Sequence, residues 1–184
     1  MKKLILILLL FILKRGHTQD KWLSTTELGF IVPNKTEYNY SFNNVGTLDS
    51  KISLAFQYSI NYQVYNKLSI GALVGIQEQY GPNFFMYKIG ANIRYNFVDA
   101  ENAFAYFQYS PNFTVNKDKF KNGNNLRIGI GLPFFKKDNF NLNLNIFHEI
   151  NHFNLSGSKP LIFGNEKPES IYFRSFGISL GVKF

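Results

Sequence analysis

The amino-acid sequence predicts an all-β fold, an eight-stranded antiparallel up-and-down transmembrane β-barrel. Three observations lead to this prediction. Apolar and polar residues alternate along eight successive segments, aromatic residues collect at both ends of these segments, and the connections between them alternate between short and long. The chain has 184 residues, which is enough for one domain with a filled interior.

The clearest alternation runs from Lys51 to Tyr62. The odd positions are small or polar, and the even positions are all apolar or aromatic: Ile52, Leu54, Phe56, Tyr58, Ile60 and Tyr62. A period of two places successive side chains on opposite faces of a strand. The segment is therefore predicted to be a strand with one apolar face and one polar face.

Seven other segments complete the set. Five of them are regular: Leu68–Tyr80, Phe85–Phe97, Leu126–Phe134, Phe140–Ile150 and Phe176–Phe184. Two are less regular, Trp22–Val32 and Ala103–Val115, the latter because Pro111 interrupts it. Their lengths suit tilted strands that cross a bilayer in about 9–11 residues. Soluble sandwiches alternate in the same way, so alternation alone leaves a soluble secreted β-sandwich open.

The distribution of residue types favours the membrane. Lys, Arg, Asn, Gln and Gly share the polar face, as expected of a crowded barrel interior. Aromatic residues make up 17% of the chain and lie at the margins of the apolar face, where membrane barrels carry their interfacial girdles. One margin holds Trp22, Tyr62, Tyr95, Phe97, Phe134, Phe140 and Phe184, and the other holds Tyr80, Phe85, Tyr87, Tyr109 and Tyr172.

The predicted connections differ in length between the two rims. Tight turns are predicted on one rim at Gln63–Lys67, Val98–Asn102 and Lys136–Asn139. The other rim receives Pro33–Ser50, Gly81–Asn83, Asn116–Asn124 and Asn154–Ser170. Short periplasmic turns and longer outer loops are typical of outer-membrane barrels.

Residues 1–18 are predicted to be a signal peptide, and residues 19–184 the barrel. Lys2 and Lys3 precede ten apolar residues, Leu4–Leu13, which rise only ~15 Å as a helix and are too short to span a bilayer. No A-x-A pattern marks the cleavage point, which we place near Thr18–Gln19. The alternative is a buried N-terminal helix of a soluble domain.

The last strand carries a pattern seen in a known group of proteins. Apolar residues occupy every second position from Phe176 through Ile178, Leu180 and Val182 to Phe184. This resembles the signal by which the barrel-assembly machinery of Gram-negative bacteria recognises its substrates. With the leader and eight strands, the chain resembles the small OmpA/OmpX/OmpW-like barrels, and more narrowly the outer membrane protein β-barrel domain group. The resemblance implies an outer-membrane location and no particular activity.

Composition limits the remaining classes. There is no cysteine, which excludes a thiolate metal site, a disulfide framework and a cysteine nucleophile. The formal net charge is +8, and it falls to +4 without Lys2, Lys3, Lys14 and Arg15 of the leader. No basic stripe with interleaved aromatics is present, so a nucleic-acid partner is not expected, whereas contact with outer-membrane lipids is.

The sequence His148-Glu149-Ile150-Asn151-His152 reads as H-E-x-x-H, a zinc metalloprotease motif. That motif requires a helix, which brings both histidines to one face. On the predicted strand, His148 and His152 would be ~13 Å apart and Glu149 would face the opposite side. No metal or other cofactor is therefore predicted.

A lipid A deacylase-like barrel enzyme is an alternative function. Such enzymes use His and Ser two residues apart, with a Glu nearby. His152 lies near the outer margin, with Ser156 and with Glu166 or Glu169 after it, but the residue two positions on is Asn154. We therefore assign no catalytic residue, and take His148 and His152 to be interfacial side chains that face head groups.

An interior ion pair is predicted between Arg127 and Glu149. A tight turn at 137–139 with Lys136 opposite Phe140 sets Phe134 opposite Leu142, and the same register sets Arg127 opposite Glu149 on the interior face. Directly opposed residues have Cβ atoms ~5 Å apart, within reach of a guanidinium–carboxylate contact. Lys88 and Arg94 share this interior face and are candidates for the same network.

The expected function is that of a non-enzymatic integral outer-membrane protein without an open pore, because eight strands leave an interior filled by side chains. It would act through surface loops or through its presence in the membrane. Loops 33–50 and 154–170 are the expected contact surfaces for an unknown extracellular ligand. Their apolar residues either bind such a ligand or pack over the barrel mouth: Tyr38, Tyr40, Phe42, Leu161 and Phe163.

Overall fold

The computed structural model describes residues 21–40, 44–98, 102–115, 118–137 and 140–184. The predicted signal peptide and its cleavage site lie outside these ranges. No helix in the described part of the chain has the length and apolarity needed to cross a membrane.

Nine strands occur in the described ranges, and all of their pairings are antiparallel. They are β1 (Trp22–Tyr40), β2 (Asn44–Thr47), β3 (Ser53–Tyr65), β4 (Leu68–Gln79), β5 (Phe84–Asn96), β6 (Phe104–Thr114), β7 (Gly123–Lys137), β8 (Phe140–Asn154) and β9 (Pro168–Lys183). Consecutive strands from β3 to β9 pair with each other, and β1 pairs with both β3 and β9. The eight long strands therefore form a closed ring, as predicted, and β2 pairs only with the far end of β1.

The register around the ring is staggered. The stagger is seen by starting at Trp22 and moving each time to the paired residue on the next strand. This path passes through Tyr62, Ile70, Ile93, Phe107, Ile128, His148 and Phe176 and reaches β1 again at Val32. The path returns to β1 ten residues beyond Trp22, because closing a small ring requires a fixed shear. The strands consequently tilt steeply against the axis, by roughly 35–45°.

The two faces of the ring have the opposite polarity to those of a soluble protein. Ile89 and Ile130, halfway along their strands, point outward and are 55% and 45% exposed, whereas Asn61, Asn92 and Asn145 point inward and are fully buried. A continuous apolar outer surface of this extent is found where the surroundings are themselves apolar. The alternation in the sequence therefore specifies an apolar exterior and a polar interior.

The first predicted loop, Pro33–Ser50, is mostly strand. β1 continues through Pro33 to Tyr40. This extension pairs with the first part of β9, which begins at Pro168, and the pairing is irregular between Pro33 and Lys35. The alternation does not predict this extension, because its polar side chains point outward and its apolar side chains point inward. Lys35 is exposed while Tyr38 is buried, since this part of the strand has left the apolar layer.

Other boundaries also differ from those predicted. β3 runs to Tyr65, so the turn there is Asn66–Lys67 rather than Gln63–Lys67. The loop between β8 and β9 is 155–167 rather than 154–170. β6 runs on through Pro111, which pairs with Asn124 of β7, but its pairing with β5 is interrupted there, between Asn112 and Tyr109. We call the end of the ring with the β3–β4, β5–β6 and β7–β8 connections the turn end, and the opposite end the loop end.

Gly177 provides the first test of the interior packing. The buried Phe147 lies against it, and a Cβ at Gly177 would meet the Phe147 ring. We expect Gly177→Ala to lower the free energy of unfolding by about 1–3 kcal/mol, because the overpacked ring must leave its rotamer. Urea unfolding in lipid vesicles measures this.

Gly29→Ala is the matched control. Gly29 is also an inward glycine of the ring, but the nearest atom that an added Cβ would meet there is the Cβ of Ser179 at 3.5 Å, an ordinary contact. A loss in Gly29→Ala equal to that in Gly177→Ala would contradict the steric explanation.

Candidate functional site

A charged cluster occupies the ring interior. Glu149 Oε2 accepts hydrogen bonds from Arg127 Nε at 2.8 Å and Nη2 at 2.5 Å, and from Lys88 Nζ at 3.2 Å. Its other oxygen, Oε1, accepts from Asn151 Nδ2 at 2.6 Å. All three charged side chains are buried. One carboxylate is thus shared by two cations in a place with little access to water.

The pairing of β7 with β8 puts Arg127 and Glu149 opposite each other. The predicted register holds from there to Leu132 and Leu144, but the pairs Phe134–Leu142 and Lys136–Phe140 were wrong. A bulge between Pro133 and Phe135 sets Phe135 opposite Leu142 and Lys137 opposite Phe140. Pro133 has no amide hydrogen to donate to the ladder, and a bulge is one of the few places in a sheet that accommodate proline.

Lys88 and Arg94 have different positions although they share one face of β5. Lys88 reaches the cluster across β6. Arg94 lies nearer the turn end, where Nη2 is 3.5 Å from Thr25 Oγ1 and the guanidinium lies 4.1 Å above the Phe104 ring. Both residues were candidates because both point into the interior. They lie at different levels along the barrel axis, so only Lys88 reaches Glu149.

An apolar plug fills the loop end of the interior. Its core residues are all buried: Tyr38, Phe84, Met86, Phe120, Phe153, Leu155, Ile171 and Phe173. Phe84 stacks on Phe120 at 4.4 Å between ring centroids, and Phe120 belongs to the β6–β7 loop. Sequence reasoning left open that Tyr38, Tyr40 and Leu161 pack over the barrel mouth, as they do, but it missed the strand residues of the plug because it takes inward positions to be polar throughout. Large residues at inward parity near the loop end, such as Phe84 and Phe153, were the available signal.

The β8–β9 loop is fastened to the plug by Glu166. This buried carboxylate accepts the Tyr38 hydroxyl at 2.6 Å and the backbone amides of Leu161, Ile162 and Phe163 at 3.1, 3.4 and 2.6 Å. Burial alone would raise the pKa of Glu166, but these hydrogen bonds outweigh it, and its pKa lies below the usual range. The loop is therefore held by an ionised carboxylate.

Comparison with known proteins places this fold. No family model and no curated protein matches the chain. The outer membrane protein OprG from Pseudomonas aeruginosa matches 92% of this chain and 98% of its own, with a TM-score of 0.52 and 10% identity. Neisserial surface protein A matches over 88% and 95%, with a TM-score of 0.50 and 16% identity. The chain has the fold of a small outer-membrane β-barrel.

The apolar loop residues of this outer-membrane barrel divide into two groups. Tyr38, Tyr40 and Leu161 pack in or against the plug, whereas Phe163 is exposed together with its neighbour Ile162. Phe42 lies outside the described residues. Most of the predicted contact residues thus close the mouth of the barrel, and Phe163 is exposed outside it.

The residues weighed for catalysis are not brought together in the barrel. His148 and His152 point outward, against Phe176 at 5.0 Å and stacked on Tyr172 at 4.2 Å between ring centroids, while Glu149 points inward. Glu166 is engaged by Tyr38 and the loop amides. Within the described ranges, no three His, Asp or Glu side chains form a group that could hold a metal ion.

The five residues of the predicted assembly signal share one outward face, four of them on β9 and Phe184 directly after it. Phe176, Ile178, Leu180 and Phe184 are exposed and Val182 is half-buried. The backbone of Phe184 pairs with that of Ser24 through two hydrogen bonds, of 2.9 and 3.3 Å. The signal residues therefore lie on the strand that closes the barrel against β1.

The Glu166 fastening predicts a local effect of substitution. We expect Glu166→Gln to speed hydrogen exchange at the amides of Leu161, Ile162 and Phe163 about tenfold or more, since hydrogen bonds to a charged group are worth ~1.5–3 kcal/mol. Glu169→Gln, an exposed carboxylate of the same region, is the control and should leave exchange unchanged.

The same fastening has a pH dependence. A carboxyl whose pKa is lowered in the folded protein contributes stability that is present above its unfolded pKa and is lost as the pH falls through the folded value. Protection of the three amides, corrected for intrinsic exchange, should therefore be complete above the ordinary carboxyl pKa, decline gradually below it, and be lost entirely only at the lower pKa of the folded protein. Loss of protection already at the ordinary carboxyl pKa would contradict this account.

Proposed function

We propose that this chain is an integral protein of the outer membrane of a Gram-negative bacterium, without enzymatic activity, which acts through its extracellular loops. The observation that carries the proposal is a loop that is fixed in place while it presents apolar side chains to the outside. Glu166 binds three consecutive backbone amides of this loop, and two of the same residues, Ile162 and Phe163, are 41% and 56% exposed. An ordered apolar surface meets a partner at lower entropic cost than a mobile one.

The contact surface includes β2. Ile162 Cδ1 lies close to the backbone of Gly46, which is packed beside Tyr40, and Val45 next to it is exposed. β2 and residues 161–163 therefore form one patch above the membrane. An extracellular ligand with apolar side chains is the partner that this patch suits.

A diffusion pore does not fit the interior. The Glu149 cluster spans the middle of the barrel, from β5 across to β8, and the apolar plug fills the loop end. Opening a path would require unpacking fully buried aromatic residues. We propose that the barrel is closed to solutes, and a purified sample in planar bilayers should show no stepwise conductance.

Assembly and location complete the proposal. The outward residues of β9 would be read by the barrel-assembly machinery, and the outer lipids would contact the apolar face. The protein should fractionate with the outer membrane and migrate faster on gels before heating than after. Recovery in the soluble periplasmic fraction would reject the membrane placement.

A complementation experiment tests the role of the loop patch. A strain that lacks the protein is compared with strains that carry the wild type, Ile162→Ser/Phe163→Ser, or the control Lys137→Gln at the turn end. The readouts are attachment of the cells to surfaces and entry of an apolar dye. Wild-type behaviour of the loop variant, with normal amounts in the outer membrane, would overturn the role of this patch.

A further inference from the structure

Two basic side chains lie side by side on the outer surface where β1 meets β9. Lys35 and Arg174 are opposed across this seam, and their side chains are 51% and 50% exposed. Phe176, two residues toward the turn end from Arg174, points outward and is exposed. The two cations therefore lie at the level where the apolar belt ends at its loop side.

Glu37 holds the two cations together. Its Oε1 lies 2.7 Å from Lys35 Nζ, and its Oε2 lies 3.2 Å from Arg174 Nη2. Arginine has five N–H donors and lysine three, and Glu37 engages one nitrogen of each. The group keeps a net charge of +1, and both cations are half exposed with further N–H donors besides those that contact Glu37, a suitable arrangement for an anion.

The surface on either side of the pair is apolar or aromatic. Toward the turn end, two exposed columns run down the seam, formed on β1 by Leu28, Phe30 and Val32 and on β9 by Phe176, Ile178 and Leu180. Toward the loop end, His152 and Tyr172 stack at 4.2 Å between ring centroids. An anion held at the pair would thus have an apolar track leading from it into the membrane.

We propose that this seam binds an outer-leaflet lipid, with a phosphate of its head group between Lys35 and Arg174 and its acyl chains along the two columns. The inference rests on the proposed membrane location and is independent of the role of the loops. The rim differs elsewhere, because on β4, two strands from β1, the outward face near the loop end carries the exposed Glu78. The site is therefore specific to the seam, and anionic lipid should not coat the whole rim.

Lipid retention by the full-length barrel tests this inference. The protein is placed in phosphatidylcholine nanodiscs doped with phosphatidic acid or with diacylglycerol of the same chains, and bound lipid is counted by native mass spectrometry. The wild type should retain phosphatidic acid over diacylglycerol. Removing each cation should reduce that preference roughly fivefold, as expected for one surface charge near an anionic lipid, and Lys35→Gln/Arg174→Gln should abolish it.

Two further variants keep the test decisive. Glu37→Gln removes the competing carboxylate and should strengthen retention, a gain that a folding defect cannot imitate. Lys137→Gln, an exposed lysine at the turn end, should behave as the wild type. Gel mobility before and after heating reports whether each variant is folded.

Each contrary outcome has a defined meaning. Equal retention of the two lipids by the folded wild type overturns the site, as does unchanged retention in the double variant. If inorganic phosphate displaces phosphatidic acid at equal concentration, the seam is a free-anion site and the acyl track has no role. Failure of the wild type to enter nanodiscs would instead count against the proposed membrane location.

Discussion

Replacing Glu149 by Gln is expected to lower the free energy of unfolding by about 3–5 kcal/mol, because breaking a buried ion pair leaves a charge without compensation. The loss should lie at the upper end of that range. Glu149 is shared by two buried cations, Arg127 and Lys88, and both would be left in a low-dielectric interior. Urea unfolding in lipid vesicles at neutral pH measures the change.

Lys88→Met is the informative control. It removes one cation and leaves the two hydrogen bonds between Arg127 and Glu149 intact, so we expect a clearly smaller loss. Exchanging Arg127 and Glu149 should recover only part of the stability, since the relocated guanidinium would lie beside Lys88. An unfolding midpoint of Glu149→Gln equal to that of the wild type would show that the cluster contributes nothing to stability.

Ile130→Arg is expected to cost about 2–4 kcal/mol relative to Ile130→Ala, the penalty for a cation on the lipid face near the midplane. Ile130 is midway along β7 and points outward, as does Ile89 on β5. The difference should be visible in lipid vesicles by equilibrium unfolding.

Asn124→Arg is the depth control for that experiment. Asn124 is on the same strand and the same outward face, six residues nearer the loop end, and is exposed. Arginine there should cost only about 0–1 kcal/mol, because the penalty falls toward the interface. Equal losses at the two positions would show that the cost of arginine on the outer face of β7 does not depend on depth, as it would in a bilayer.

The sequence specified the parity of the strands and the interior pair because both follow from a strict period of two. Where the chain leaves the apolar layer, the same period carries the opposite meaning. Tyr38 then points inward and Lys35 outward, so the pattern predicts a loop where β1 continues, and it leaves mouth packing by Tyr38 as one of two alternatives. The bulge at Phe134 is not predicted because the predicted strand ends at Phe134, and the adjacent outward Phe135, which breaks the alternation, lies beyond it.

The rest of the site depends on distance across the barrel, which a sequence pattern does not encode. Lys88 and Arg94 are equivalent by parity, and only the tilt of the strands decides that Lys88 meets Glu149. Glu166 reaches Tyr38 across more than a hundred residues of chain, and no short motif announces such a contact.

The closure of the ring through β1 and β9 has a consequence for how the chain reaches this state. The hydrogen bonds between Ser24 and Phe184 join segments separated by nearly the whole barrel sequence, and until they form, β1 and β9 each have an unpaired edge. In a hydrocarbon environment unpaired backbone groups are too costly to persist. We therefore expect a single hairpin not to be stable in lipid by itself, and the long-range closure of β1 on β9 to accompany insertion.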